Sequence, residues 1–286
     1  MSEIDPTQRL IEGFRAVFMK LKLNGFKIAD AVGLNRRVSG LVSVLIPTLE
    51  ERYELLASRC LPSVAAQTYQ DFEVLVVSET YSESVAEAVA SFDSRFRYLW
   101  DAPRDSKLLK AGPLAIWSSG AAPSLNLALR SSRGKFLARL DDDDSWLPEH
   151  LENGIELLRS SGAEFVSSNA AAPDGGLVAL SDMSSNYFGS EFRWCRQDVP
   201  IGTPITWIFR SHLRSLKFNE KSWRKKWNKP VDYDFILRSG GAGVRMVFSE
   251  EVTANYMSRP GLGGLTGFEA YLRDNVDEIS GEDWRD

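Results

Sequence analysis

Apolar residues along this chain follow two different periods. From about Thr7 to Leu23, the positions Leu10, Ile11, Phe14, Val17, Phe18 and Leu21 recur at helical spacing and form one apolar stripe. From Leu41 onward, short apolar runs alternate with helical stretches. Val42 to Ile46, Phe72 to Val77, Phe96 to Trp100, Lys135 to Leu140 and Glu164 to Ser168 read as strands. Arg52 to Gln67, Ser84 to Phe92, Ser124 to Ser131 and Pro148 to Arg159 read as helices. Strands alternating with helices of this length predict an α/β protein with a mostly parallel sheet covered on both faces. In such sheets ligands bind at the carboxyl ends of the strands, so the residues just after each strand carry the chemistry.

The opening of the chain differs in charge from the remainder. Residues 1–40 hold seven Lys/Arg and four Asp/Glu (7 − 4 = +3), which leaves −8 for the other 246. They are expected to form a helical extension, joined through Gly33 to Gly40 to a main domain at 41–260, with a tail at 261–286. The apolar stripe predicts a helix packed on its own core or on a second subunit as a homodimer contact. Its basic character offers another use, an amphipathic helix in peripheral contact with a membrane.

With 286 residues the chain suits one large domain or two closely packed halves. A net charge of −5 and a pI near 5.3 argue against a general nucleic-acid binder, which needs a basic face to neutralise phosphates. Two cysteines, Cys60 and Cys195, imply no disulfide framework and fit a reducing compartment, where they read as packing thiols. Two histidines, His150 and His212, leave little scope for a histidine-rich zinc site and read as surface residues. The most apolar stretch, Leu41 to Pro47, is too short to cross a bilayer, and the N-terminus lacks the apolar core of a signal peptide. A cytoplasmic protein is expected.

The strongest chemical signal is the run Arg139-Leu140-Asp141-Asp142-Asp143-Asp144-Ser145-Trp146-Leu147-Pro148. Four carboxylates follow directly on an apolar strand. In extended chain Asp141 and Asp143 face one way, and Asp142 and Asp144 the other. Like charges this close raise one another's pKa unless a cation or hydrogen bonds offset them. Magnesium and manganese take oxygen ligands, often one or two carboxylates with the rest from phosphates. A calcium loop of the EF-hand kind would need glycine where Trp146 stands. A haloacid-dehalogenase phosphatase would carry its Asp-x-Asp near the start of the domain, followed by Thr or Val. The remaining use is the Asp-x-Asp of a nucleotide-sugar transferase.

Four segments in order resemble glycosyltransferase family two, the GT-A fold, over roughly Leu41 to Arg259. They are Val42 to Thr48; Ser63-Val64 with Gln67 to Tyr69 and Phe72 to Val77; Asn126 to Leu129 with Gly134 to Asp141; and Trp146-Leu147-Pro148. The resemblance implies a nucleotide-binding half at 41–145 and an acceptor half at 146–260. It places Pro47, Thr48, Glu50 and Asn126 beside the nucleotide and Glu79 as the reader of its base, since Ser78-Glu79 stands where the family has two aspartates. Asp141 and Asp143 are implied to hold Mn²⁺ or Mg²⁺. Asp141 and Asp142 are implied to meet the donor, and Asp144 to position the loop or the sugar.

The family's catalytic carboxylate, at the start of a later helix, corresponds to Asp232 in Val231-Asp232-Tyr233-Asp234, although Val231 replaces the usual glutamate. A carboxylate there can also serve as a helix cap. The resemblance implies inverting transfer from a nucleotide-diphospho sugar, UDP-linked first, to an acceptor hydroxyl. The rival reading is a degenerate member that binds nucleotide or glycan without turnover; a nucleotidyltransferase lacks its glycine-rich opening here. The basic, aromatic stretch Lys221 to Lys229, with Arg224, Lys225 and Trp227, is read as a diphosphate or acceptor loop, with Arg259 as further support. Gly261 to Gly267 reads as a lid or linker, because Thr266 breaks the dinucleotide fingerprint.

Overall fold

The computed structural model describes residues 6–173, 175–178, 200–224 and 230–257. Helix α1 (Pro6–Ala31) leads to strand β1 (Val38–Pro47) and then to α2, a helical segment over residues 50–65. Pro62 cannot donate to the carbonyl of Ser58, and just before it the helix widens into a π-turn, Leu56–Cys60. There follow β2 (Phe72–Val77), α3 (Glu83–Ala90), β3 (Phe96–Leu99), α4 (Ser106–Lys110), α5 (Pro113–Ser119), α6 (Ala122–Ser131), β4 (Gly134–Arg139) and β5 (Ser145–Trp146). After α7 (His150–Ser160) come β6 (Phe165–Ala171), β7 (Leu177–Val178), β8 (Ile208–Arg210), α8 (Val231–Gly241) and β9 (Met246–Asn255).

Nine strands among the described residues make one sheet, ordered β3-β2-β1-β4-β8-β6-β9-β5, with β7 beside β6. The first four are parallel; β8 runs against both β4 and β6, β9 is parallel to β6, and the short β5 and β7 are antiparallel. The central strands are apolar on both sides because both faces are covered. Val42, Val44 and Ile46 of β1 pack with Leu56, Val64 and Val85 on one face. Leu45, Leu75 and Leu137 pack with Leu23, Leu125, Leu129 and Phe235 on the other. At the start of β4, Gly134 passes β1 so closely that a Cβ would lie 2.5 Å from the Leu41 carbonyl oxygen. This contact seats β4 beside β1, with Leu45 opposite Arg139, and so fixes where the aspartates emerge.

The α/β class and the sheet, mostly parallel and covered on both faces, agree with the sequence pattern. Several details differ. Two short helices, α4 and α5, fill a stretch where the apolar pattern marks no element. The expected linker Gly33 to Gly40 ends in strand, since β1 begins at Val38. The stripe of α1 is not packed on its own core: Phe14, Val17, Phe18 and Leu21 are exposed, while Leu23 on the opposite side is buried with Met19 against it. Both histidines are buried rather than on the surface. The His150 ring stacks on Trp146 at 4.3 Å, and His212 Nε2 meets Glu164 Oε1 at 2.9 Å. Cys60 is a buried thiol in the core, as expected; Cys195 lies outside the described residues. No described helix is long and apolar enough to cross a membrane.

Candidate active site

The ends of β1, β2 and β4 meet at one edge of the sheet. Pro47, buried and opposite Val77, ends β1; Thr48 follows, its N–H donating to the Val77 carbonyl at 2.9 Å. At the end of β4 the chain turns, and Asp144 N–H donates to Asp141 O at 3.3 Å. The turn keeps the alternation expected of the run. Asp142 and Asp144 are buried, whereas Asp141 and Asp143 are partly exposed.

Each buried carboxylate has a fixed partner. Asp142 accepts from Thr48 Oγ1 at 2.8 Å and from Arg52 Nη1 at 3.0 Å. Burial pushes its pKa up to about 6 despite the arginine. Asp144 accepts from Met257 N–H at 2.7 Å, which ties the end of β9 to this turn. Burial and the neighbouring Asp141 hold it well above the usual carboxylate range. Arg52 also reaches Asp143 at 3.4 Å, and Arg59 Nη1 donates to the Asp143 carbonyl at 3.1 Å. Burial likewise raises the phenol of Tyr256, with Asp144 adding to the effect.

The second carboxylate centre joins the first through Arg139. This guanidinium is buried at the end of β4, near the faces of Trp207 and Phe218. It lies 3.2 Å from Asp141 Oδ1 through Nη2, and through Nη1 it is bonded to Asp232 Oδ1. Burial opposes its charge, but the two carboxylates outweigh that and keep it protonated. Asp232 sits in the first turn of α8, after Pro230, which fixes the entry into the helix. Burial raises its pKa above the ordinary value, Arg139 draws it down, Asp141 pushes it up, and the net direction is upward.

Glu79, after β2, is engaged by Arg104 Nε, and the same guanidinium lies 3.3 Å from Ile116 O and Ser119 Oγ. Beside it Tyr81 and Trp100 are exposed with ring centroids 5.1 Å apart, an aromatic platform next to the end of β2. Glu50 is exposed in the first turn of α2. Asn126 is bonded within the protein. Its Nδ2 donates to the Phe218 carbonyl at 2.9 Å and to Glu220 Oε1 at 2.8 Å, and its Oδ1 accepts from the Phe218 N–H at 2.9 Å. These bonds tie α6 to residues 218–220. Arg224 is exposed, its guanidinium over the Trp223 ring; Lys225, Trp227, Arg259 and the Gly261 to Gly267 stretch lie outside the described residues.

Among the described residues no group of three or more His, Cys, Asp or Glu forms a closed metal cage. The donor set fits an open site: two partly exposed carboxylates, Asp141 and Asp143, with the remaining positions left to phosphate oxygens and water, as Mg²⁺ or Mn²⁺ prefers. The sequence reading assigned no role to Arg139, Arg52 or the Tyr81–Trp100 platform. Arg139 was legible as an anomaly, an arginine at the buried end of an apolar strand, because such a charge needs an anionic partner.

Residues 116–215 match the family model for glycosyl transferase family 2, and residues 46–165 match a rhamnosyl transferase model. Among curated proteins, the Escherichia coli UDP-Glc:alpha-D-GlcNAc-diphosphoundecaprenol beta-1,3-glucosyltransferase WfgD is 31% identical over 130 residues, 45% of either chain. The glycosyltransferase AglE of Haloferax volcanii is 29% identical over 142 residues, 48% of this chain and 42% of AglE. The chain thus spans less than half the length of these curated relatives. Staphylococcus aureus TarS 1-349, solved with UDP-GlcNAc, superposes with a TM-score of 0.54 at 18% identity, covering 85% of this chain and 67% of that one. The mannosyltransferase PcManGT of Pyrobaculum calidifontis, solved with GDP-Man and Mn²⁺, gives 0.52 at 16% identity, covering 95% and 76%. These neighbours establish the GT-A fold.

Proposed function

We propose that this chain, which carries a glycosyl transferase family 2 segment on a GT-A fold, is a metal-dependent inverting glycosyltransferase. It moves a sugar from a nucleotide-diphospho sugar to an acceptor hydroxyl. The observation that carries the reading is Arg139, whose one buried guanidinium joins Asp141 to Asp232. The carboxylate that would face the donor and the one that would face the acceptor are thereby held at a fixed separation on rigid elements.

Asp141 and Asp143 would hold Mn²⁺ or Mg²⁺, which supplies Lewis-acid stabilisation of the departing diphosphate. Asp232 takes the proton of the attacking hydroxyl. That role needs an ionised carboxylate, and the Arg139 partner favours ionisation against burial. Pro47, Thr48, Glu50, Glu79 and Asp142 form the nucleotide edge, with Asp142 acting through its bonds to Thr48 and Arg52. The uridine donors in the names of WfgD and of the TarS complex favour a UDP-sugar, and the Mn²⁺ of the PcManGT complex favours the metal.

The test is a thermal-shift panel of UDP, GDP and dTDP, each with and without Mn²⁺, followed by donor hydrolysis. A ligand at a hundred times its Kd adds about 2.7 kcal/mol, an upward shift of roughly 5–10 °C at this size. A Mn²⁺-dependent shift with UDP and slow release of free sugar are expected. Binding without hydrolysis would mark a degenerate member, to which the Ser78 and Val231 departures point. No shift with any nucleotide would end the transferase reading.

A further inference from the structure

We propose that the outward face of α1 docks on an anionic lipid surface. The helix packs on the body of the protein through Met19 and Leu23, while Phe26 lies under the Arg214 guanidinium. On the opposite side Phe14, Phe18, Leu21 and Ile28 form an apolar stripe broken at Gly25 and extended by Val32 just past the helix end, each apolar residue 63–70% exposed. A surface helix ordinarily turns its apolar side inward. This one has apolar residues on two opposite sides and covers only one of them.

Charge identifies what would cover the other. At 100° per residue, Arg15 and Lys22 fall along one border of the stripe and Lys20 along the other, where Lys27 is ion-paired with Glu164 at 2.5 Å. The helix holds two acids, Glu12 and Asp30, and Asp30 is turned inward to Ser211 and Arg214. On the Lys27 side lies a cavity of about 580 Å³ lined by both signs of charge, Lys135, Arg210 and Arg245 with Asp30 and Glu164. The chain as a whole has a net charge of −5, so the basic excess of the helix runs against its composition. An apolar stripe bordered by lysine and arginine matches the boundary between acyl chains and acidic headgroups. The positions 14, 18, 21, 25, 28 and 32 also repeat like a coiled-coil seam. Two copies zipped there would bring Arg15, Lys20 and Lys22 of each copy together along the seam, and Gly25 would leave a gap in the middle of it. Lipid fits where a second copy does not.

The experiment is co-sedimentation of the full chain with vesicles of phosphatidylcholine alone and of equal parts phosphatidylcholine and phosphatidylglycerol. Binding to the anionic vesicles is expected, weakening as salt is raised. Phe18→Asp with Leu21→Asp should lower the bound fraction about tenfold or more, and Arg15→Glu with Lys20→Glu should do the same. These side chains are exposed, so the melting temperature should stay unchanged. No binding to anionic vesicles would overturn the proposal, as would equal binding by the Phe18 and Leu21 variant. A dimer in light scattering that this variant splits into monomers would assign the stripe to a second copy instead.

Discussion

Asp141 and Asp232, 91 positions apart in sequence, share one buried guanidinium, that of Arg139. Arg139 emerges from β4 at a point set by the pairing of Leu45 with Arg139, and Asp232 is delivered by the first turn of α8. The arginine therefore does two things. It neutralises carboxylates that would otherwise repel, and it fixes the distance between the two halves of the proposed reaction.

Removing Arg139 should affect both stability and pH dependence. Losing one partner of a buried ion pair costs about 3–5 kcal/mol, so Arg139→Met should unfold at clearly lower urea concentration. Arg139→Lys keeps a charge but cannot bridge both carboxylates in the same fork. Arg139 draws the Asp232 pKa down, so weakening that contact raises it. The ionised base is then lost at higher pH, and the acid limb of kcat/KM in Arg139→Lys should move upward. An acid limb in the wild-type place would mean that Asp232 is not the titrating base.

Asp232→Asn removes the proton acceptor while keeping size and most hydrogen bonding. Turnover should fall by about a hundred- to ten-thousandfold, the usual worth of general-base assistance. UDP binding in the presence of Mn²⁺ should change little, because the residues proposed to meet the nucleotide lie at or after the ends of β1, β2 and β4, whereas Asp232 lies on α8. Near-normal turnover would reduce Asp232 to a helix-terminus residue.

What the sequence made legible was local. The apolar runs of β1, β2 and β4 and the acids after β4 could be read because buried strands and a charge cluster announce themselves in neighbouring positions. What it hid was long-range. Arg52, Thr48 and Asp142 are 90 or more positions apart in part, and only the closed sheet brings them together. Asn126 matched a motif, yet its amide serves the backbone of Phe218, which no spacing could reveal. The stripe of α1 was readable as a helix face, but which side meets the core depends on the partner surface. The histidines were misplaced because the His150 ring packs on Trp146 and His212 finds a partner in Glu164, and rarity alone says nothing about burial.

Gly202 offers a test of close packing beside the sheet. Its N–H donates to Ser167 Oγ at 3.0 Å and its carbonyl accepts from Trp207 Nε1 at 2.7 Å. A Cβ there would lie 2.0 Å from the Ser168 carbonyl oxygen, which is backbone and cannot swing away. Gly202→Ala should destabilise by about 1–3 kcal/mol or more in urea unfolding. Gly154→Ala is the control. Its Cβ would meet only the Ile208 side chain, which can rotate, and alanine is the better helix former. That variant should be near neutral, and equal losses at both sites would refute the distinction.

His150 should make the protein lose stability as pH falls through the weakly acidic range. Its ring is buried against Trp146, with Nδ1 2.7 Å from Thr253 Oγ1 and Nε2 without a hydrogen-bond partner. Burial alone lowers its pKa to about 3, whereas in the unfolded chain it titrates near 6.5. Between those values the unfolded state takes up a proton that the folded state refuses. Its contribution is therefore complete above about pH 6.5 and declines by roughly 1.4 kcal/mol per pH unit below it. At pH 5 the deficit is about 2 kcal/mol. Asp142 works in the opposite sense, since its folded pKa of about 6 lies above the unfolded value and it binds its proton first in the folded state. The two partly cancel in the wild-type curve, so the difference between wild type and His150→Phe is the quantity to measure. Phenylalanine keeps the stack on Trp146 and cannot titrate; loss of the Thr253 bond adds an offset that does not vary with pH. The stability of His150→Phe relative to wild type should rise steadily from pH 7 to pH 5 in urea unfolding, and a flat difference would show that His150 is protonated equally in both states.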